Sequence, residues 1–336
     1  MTMKKTGKWA LALAILIGSG IVVSAIALCV GSAGIHPGDI PTIFLEGSGS
    51  TEYSILFNIR LPRLILGLSI GGALGLAGAL LQGIFRNPLV EPYTLGISGG
   101  ASLGVCLNII FNLHDRFGVI AYPASGFMGA FFVIFLVYGL NRKARQMESN
   151  GMLLTGVMIS YVSSSIVMFL MAVSKNDDLH NIVFWIMGSL DEPNPLLIKT
   201  AAIVSISGLF ISFFFCFDLN ALALGDEEAS HLGVNVARTK KIVFVTASLM
   251  TGLAVSVSGI IMFAGLIVPH FMRMMIGSDH RILLVSSFLA GAAFLTACDV
   301  IARTVISPLE LPVGVITGII GGIVFIYVLS GKKGRI

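Results

Sequence analysis

Asn87-Pro88-Leu89-Val90-Glu91-Pro92-Tyr93-Thr94-Leu95-Gly96-Ile97-Ser98-Gly99-Gly100 leads out of one apolar run, near residues 63–84, into another, near 94–111. Its two prolines remove amide donors and its three glycines permit irregular backbone, so peptide groups are freed where hydrocarbon has no partner for them. Backbone of this kind is tolerated at membrane depth only against protein or a water-filled path. The stretch therefore predicts a broken helix inside a polytopic membrane protein.

The composition agrees. Of 336 residues, 56% are hydrophobic and 11% charged, against roughly 25% charged in ordinary globular chains. The 39 glycines lie within apolar runs and give no sign of disorder. The net charge of +4 comes from basic residues scattered between apolar segments, which excludes a nucleic-acid surface.

Ten stretches approach the roughly 20 residues that a bilayer core requires. They fall near residues 9–31, 63–84, 94–111, 118–140, 152–173, 196–217, 241–258, 260–276, 282–302 and 313–331. The expected fold is all-α, with about ten transmembrane helices. The first run follows Lys4, Lys5 and Lys8 but is longer than the roughly 7 to 15 apolar residues of a signal peptide, so it reads as a retained helix. With the N-terminus inside, fifteen Lys and Arg fall on that side and six on the other: Arg60, Arg63, Arg116, Lys175, Lys199 and Arg303. This bias places both termini in the cytoplasm.

The spans are as informative for what they lack. Asp299 and Arg303 stand toward one end of the ninth, His270 and Arg273 toward one end of the eighth, and the middles carry no acid or base. A proton-driven carrier is thereby disfavoured. No GxxxxGK[ST] loop is present, so energy for uphill transport has to come from another subunit. Cys29, Cys106, Cys216 and Cys298 sit in separate apolar segments without a CxxC pair, and the six histidines include no HExxH, which leaves no metal site and no bound cofactor to expect. A faint internal echo pairs Gly75-Leu76-Ala77, Gly83 and Pro88 with Gly252-Leu253-Ala254, Gly259 and Pro269. These lie five spans apart, so a repeat relating them would be inverted.

Three further features bear on function. Gly96-Ile97-Ser98-Gly99-Gly100 satisfies GxSG and GxSxG, and with His270 it sketches the Ser-His dyad of an intramembrane protease. A nucleophile elbow needs a strand before its turn, and here a proline-broken apolar segment surrounds the serine. Ser98, Thr155, Ser163, Ser164 and Ser165 are candidates to line a translocation path, although hydroxyls also bond their own helix backbone. The segment of about 218–241 carries Leu222, Leu224, Leu232 and Val234, too apolar for a solvated connector. It reads as a docking element or as an amphipathic helix on the lipid surface.

Arg60-Leu61-Pro62-Arg63, the Asn87 to Gly100 stretch, Gly265-Leu266-Ile267-Val268-Pro269-His270 with Arg273, and Glu310-Leu311-Pro312-Val313-Gly314 together resemble the FecCD-type permeases. These are the membrane subunits of ABC importers for ferric siderophores, haem and cobalamin. The resemblance runs nearly the length of the chain and implies one permease domain over residues 1–336, with the inverted-repeat type II importer fold. It also implies a homodimer or close pair of permeases in the inner membrane, a pair of cytoplasmic ABC ATPases that bind the ATP and magnesium, and an external solute-binding protein. By the same resemblance, Gly225, Asp226, Glu227, Glu228, Ala229, Leu232 and Gly233 belong to a coupling helix that docks on the ATPase. The resemblance also assigns Arg60, Arg63 and Arg303 to salt bridges with glutamates of the binding protein. An iron-siderophore or haem chelate is the expected cargo, ahead of cobalamin and then of an oxyanion such as molybdate.

The orientation can be checked by labelling. Single cysteines at Ser48 and Asp177 should react with an impermeant maleimide in intact cells, and one at Gln146 should not. Labelling of Gln146 from outside would overturn the map.

Overall fold

The computed structural model describes residues 2–31, 34–39, 42, 43, 45, 50–141 and 149–331. Ser48, Arg142, Lys143, Arg145, Gln146, Lys332, Lys333 and Arg335 lie outside them, as do the side chains of Lys4 and Lys5. Among the described residues every regular element is helical. Seven helices are long and apolar enough to cross a membrane: α1 (Thr2–Cys29), α2 (Thr51–Phe85), α5 (Ala121–Asn141), α6 (Ser149–Val173), α8 (Pro195–Phe213), α11 (Val236–Ser258) and α13 (His280–Thr304). Three shorter apolar helices complete the set, α3 (Ile97–Ile110), α12 (Ala264–Ile276) and α14 (Val313–Gly331). Between them lie α4 (Leu113–Phe117), α7 (Asn176–Met187), α9 (Cys216–Leu222) and α10 (Asp226–His231).

The ten apolar helices match the ten expected runs, with instructive differences at their ends. The second was expected to begin near residue 63, just after Pro62, which has no amide for the carbonyl four residues before it. Instead the helix continues back to Thr51, through a π-helical turn over Ile55–Arg60 in which the Leu61 N–H reaches the Leu56 carbonyl. The extra residue per turn absorbs the missing donor. The third and eighth helices begin later than expected, since Pro92–Leu95 forms a 3-10 turn and the chain is irregular from Gly259 to Phe263. At 1.5 Å per residue, α3 and α12 reach only about 20 Å, short of a bilayer core of about 30 Å.

Small residues set the packing at the centre. From Leu66 onward α2 is buried almost throughout, and it lies against α13 with backbones in contact. A methyl group on Gly71 would collide with the Gly291 carbonyl, and one on Gly75 with that of Ser287. Gly78 approaches Gly265 of α12 in the same way, and Gly100 of α3 approaches Gly129 of α5. Such close approach replaces the hydrophobic drive that lipid cannot supply between helices.

The inverted repeat is visible in the chain path. α2 ends where α11 begins, since Arg86 and Lys240 both pair with Asp226, so the two helices run in opposite directions. Each is followed by a break and then by a short helix. Both short helices start from a left-handed residue, Gly96 (φ 84°) before α3 and Phe263 (φ 67°) before α12. The end of the bundle that gathers Trp9, Arg86, Lys240 and Arg281 is called the basic end below.

Candidate functional site

At the end opposite the basic one, three guanidiniums surround two carboxylates. Arg63 donates from Nε to Asp299 Oδ1 at 2.8 Å and from Nη1 to Glu310 Oε2 at 2.6 Å. Arg303 Nε stands 3.1 Å from Asp299 Oδ2. Arg60 donates to the carbonyls of Leu28 (2.6 Å) and Cys29 (2.9 Å), and Arg303 Nη2 to that of Ala27 (3.2 Å). The last carbonyls of a helix have no amide to receive, and they form its negative end. Two arginines thus cap α1 while a third ties α2 to α13.

The sequence suggested arginines turned toward a partner. In the structure Arg60, Arg63 and Arg303 are 4%, 7% and 6% exposed and engaged within the chain, while Glu310 is 46% exposed on its side chain. Asp299, four residues before Arg303 on the same helix, is the centre that the sequence reading left unpaired. Its spacing was the available signal.

The two breaks meet inside the protein. Glu91 Oε1 accepts from the Phe263 N–H at 2.6 Å, and Tyr93 Oη from the Ile261 N–H at 3.2 Å. The stretch before α3 therefore supplies acceptors to the break before α12. Phe263 holds a left-handed conformation that costs an ordinary residue about 1 kcal/mol. Its bonded amide and the packing of its ring on Gly321 offset that cost. Gln82 adds a third link, donating to the Leu266 carbonyl at 3.2 Å and accepting from Arg273 at 3.0 Å.

At the basic end α9 and α10 form a small knob. Gly225 and Gly233 frame α10 with φ of 131° and 88°, values that only glycine adopts readily. Of the residues assigned to this element, Asp226 turns inward to Lys240 and Arg86, Ala229 is buried and Gly225 packs beneath. Glu227, Glu228 and Gly233 are exposed, as are Leu224 (67%) and Leu232 (65%). Asp218 also accepts from the Thr239 hydroxyl at 2.7 Å. The knob is fastened from below and presents leucine and glutamate outward.

The hydroxyls divide. Thr155 and Ser163 line an apolar groove of about 1400 Å³ between α3, α5 and α6, where Thr155 bonds the Gly151 carbonyl and receives Asn141 Nδ2. Ser164 and Ser165 are exposed on α6 beside Tyr161 and Met168. Ser98 is half-buried in the first turn of α3, behind a 3-10 turn where a nucleophile elbow would require a strand. No group of three or more His, Cys, Asp or Glu able to hold a metal occurs among the described residues.

An all-helical membrane bundle with two shortened helices whose preceding breaks meet inside it, and a knob at one end, is the arrangement expected of a transport permease. The chain belongs to the FecCD transport family, which matches residues 14–331. It is 35% identical to the hemin transport system permease protein of Yersinia pestis, over 93% of this chain and 95% of that protein. It is 40% identical to the Fe(3+) dicitrate transport system permease protein FecD of Escherichia coli, over 84% and 87% of the two chains. It is 36% identical to the cobalamin import system permease protein of Halobacterium salinarum, over 96% and 87%. A solved metal-chelate type ABC transporter in an inward-facing conformation superposes with a TM-score of 0.83 at 30% identity, covering 96% of this chain and 99% of that one. The family is one of ABC transporter permease subunits and is not catalytic, so the protease dyad is not favoured.

The ion cluster makes a stability prediction. Asp299→Ala leaves two buried guanidiniums without their shared carboxylate and should cost about 3–5 kcal/mol. Glu310→Ala removes a half-exposed partner and should cost below about 1 kcal/mol. Thermal unfolding of the purified protein in detergent gives the order, and equal losses would contradict it.

Proposed function

We propose that this chain forms the membrane path of an ATP-driven importer for a metal chelate, an iron-siderophore or haem complex, delivered by a solute-binding protein. The observation that carries the reading is the knob: a fastened element with exposed Leu224, Leu232, Glu227 and Glu228 is a docking surface, and the chain has no ATP loop of its own. Two relatives named for hemin and for Fe(3+) dicitrate support the cargo, and one named for cobalamin keeps a corrinoid as the alternative. The basic bias supports an orientation with the knob and both termini in the cytoplasm. A second copy of the chain is proposed to cover exposed apolar residues such as Phe169 on α6 and Ile319, Ile323 and Ile326 on α14. Ser164 and Ser165 then belong to the path, with Thr155, Ser163 and Ser98 behind them.

Docking on the knob predicts that Leu224→Asp with Leu232→Asp leaves insertion and thermal stability intact, because both side chains already face solution. Uptake of chelate into vesicles holding the permease, the ATPase and the loaded binding protein should fall at least about tenfold, since two apolar anchors are lost. Unchanged uptake sinks the role. Running the unaltered system with ferric siderophore, haem and cobalamin in turn identifies the cargo.

The docking arginines remain part of the proposal in an altered form. Their burial favours a second reading, in which they only brace the fold. For docking, a carboxylate of the binding protein has to displace Glu310, the exposed partner of Arg63. Glu310→Gln should therefore tighten binding of that protein severalfold at low salt, as a competing charge is removed. Unaltered affinity leaves the brace as the whole role.

A further inference from the structure

We infer that Asn220 is the positioning residue through which α13 reports events at the arginine end to the knob at the basic end. This rests on the function proposed above, in which the knob meets the ATPase and the arginine end meets the binding protein.

Asn220 lies on α9, the first half of the knob, and both ends of its amide are engaged. Nδ2 donates to Asp279 Oδ1 at 3.0 Å, and Oδ1 receives the His280 N–H at 2.8 Å. The ring Nδ1 of His280 is 2.9 Å from the same oxygen. An amide oxygen only accepts, so Nδ1 carries the proton of that imidazole. Asp279 is the N-cap of α13 and accepts from the Arg281 N–H at 3.2 Å. Asn220 therefore grips the first turn of α13 at three atoms, and rotation or sliding of that helix moves α9 with it.

The grip is reinforced from both sides. Arg281 folds back on Asp279 with bonds of 3.0 and 2.7 Å, which holds the carboxyl well below the usual carboxylate range. The same guanidinium stands over the rings of Phe217 on α9 and Trp9 on α1. The imidazole of His280 lies against the backbone of α2 at Gly83.

Other polar links of the knob run to α11 and to the end of α2. Asp218 and Asp226 tie the knob to Thr239 and Lys240 of α11, and Asp226 also to Arg86 after α2. Asn220 is the side chain of the knob that hydrogen-bonds the start of α13, the helix whose far end holds Asp299 and Arg303. α13 has 25 residues, about 37 Å at 1.5 Å per residue, and spans the distance unbroken. It is locked to α2 by the Gly71–Gly291 and Gly75–Ser287 contacts and by the Arg63–Asp299 pair, so the two helices form one stiff body. Displacement of carboxylates around Arg63 shifts that body, and Asn220 delivers the shift.

The test uses the whole transporter in vesicles, with ATPase activity measured with and without loaded binding protein. In Asn220→Ala the activity without binding protein and the thermal stability should stay within about twofold, while stimulation by binding protein drops about tenfold, a typical size for coupling between two sites. The exchanged pair Asn220→Asp with Asp279→Asn rebuilds the bond with donor and acceptor reversed and should recover stimulation. Should Asn220→Ala fail to assemble, Asn220→Ser, which keeps an acceptor for the His280 N–H, and the exchanged pair decide the matter by the same ratio. Stimulation equal to the unaltered protein in Asn220→Ala, or in Asn220→Ser a proportional loss of both activities together with stability, overturns the inference. If the unaltered transporter is not stimulated by any binding protein, the functional reading fails first and the inference falls with it.

Discussion

Every peptide amide and carbonyl at membrane depth has to find a partner within the protein, because hydrocarbon offers none. Unbroken helices meet this demand by themselves. The breaks in this chain do not, and each is answered by a side chain from a distant segment. Glu91 and Tyr93 accept the amides freed between α11 and α12, Gln82 reaches the carbonyl of Leu266, and Arg60 with Arg303 take the last carbonyls of α1. The polar residues of the interior are therefore distributed by where the backbone is broken. The two repeats are joined at the same points, so the irregularity that a transport path requires is also what holds the halves together.

The same demand explains which parts of the fold were legible in the sequence. Ten apolar runs, the broken stretch from Asn87 to Gly100 and the likeness of its motifs to one family all follow from local composition, and each has its counterpart in the helices and in the family match. The helix ahead of Pro62 went unread because the π turn that accommodates the proline depends on the preceding six residues and leaves no periodic mark. Glu91 could be seen as an acid between spans, but its depth is set by a fold that brings residue 91 to residue 263. Asp299 and Arg303 were recognised on one helix, while their union with Arg63 spans more than two hundred residues and has no local signature.

The candidate site was legible to a similar degree. The exposed leucines and glutamates of the knob stand where an apolar loop between charged residues suggested, yet the division into Asp226 turned inward and Glu227 and Glu228 turned outward is fixed only by Lys240 and Arg86. The arginines were singled out by the family resemblance, among the few basic residues on one side of the expected map. That gave their importance and not their surroundings, since burial at 4–7% exposure depends on α1, α2 and α13 together. Asn220 drew no notice at all, because an asparagine beside an aspartate and a helix start elsewhere in the chain has no pattern to match.

The fastening of α1 bears on which part of the bundle it moves with. Most of its apolar residues are uncovered in the fold. What holds its far end is the pair Arg60 and Arg303, and what meets its near end is Arg281 against Trp9. Two of those three arginines belong to the ninth apolar helix. The first helix is therefore buckled at both ends to one helix, α13, with Arg60 as a second hold at the far end. It turns most of its side chains outward and serves as a strap along the outside of the bundle, carried by any displacement of α13.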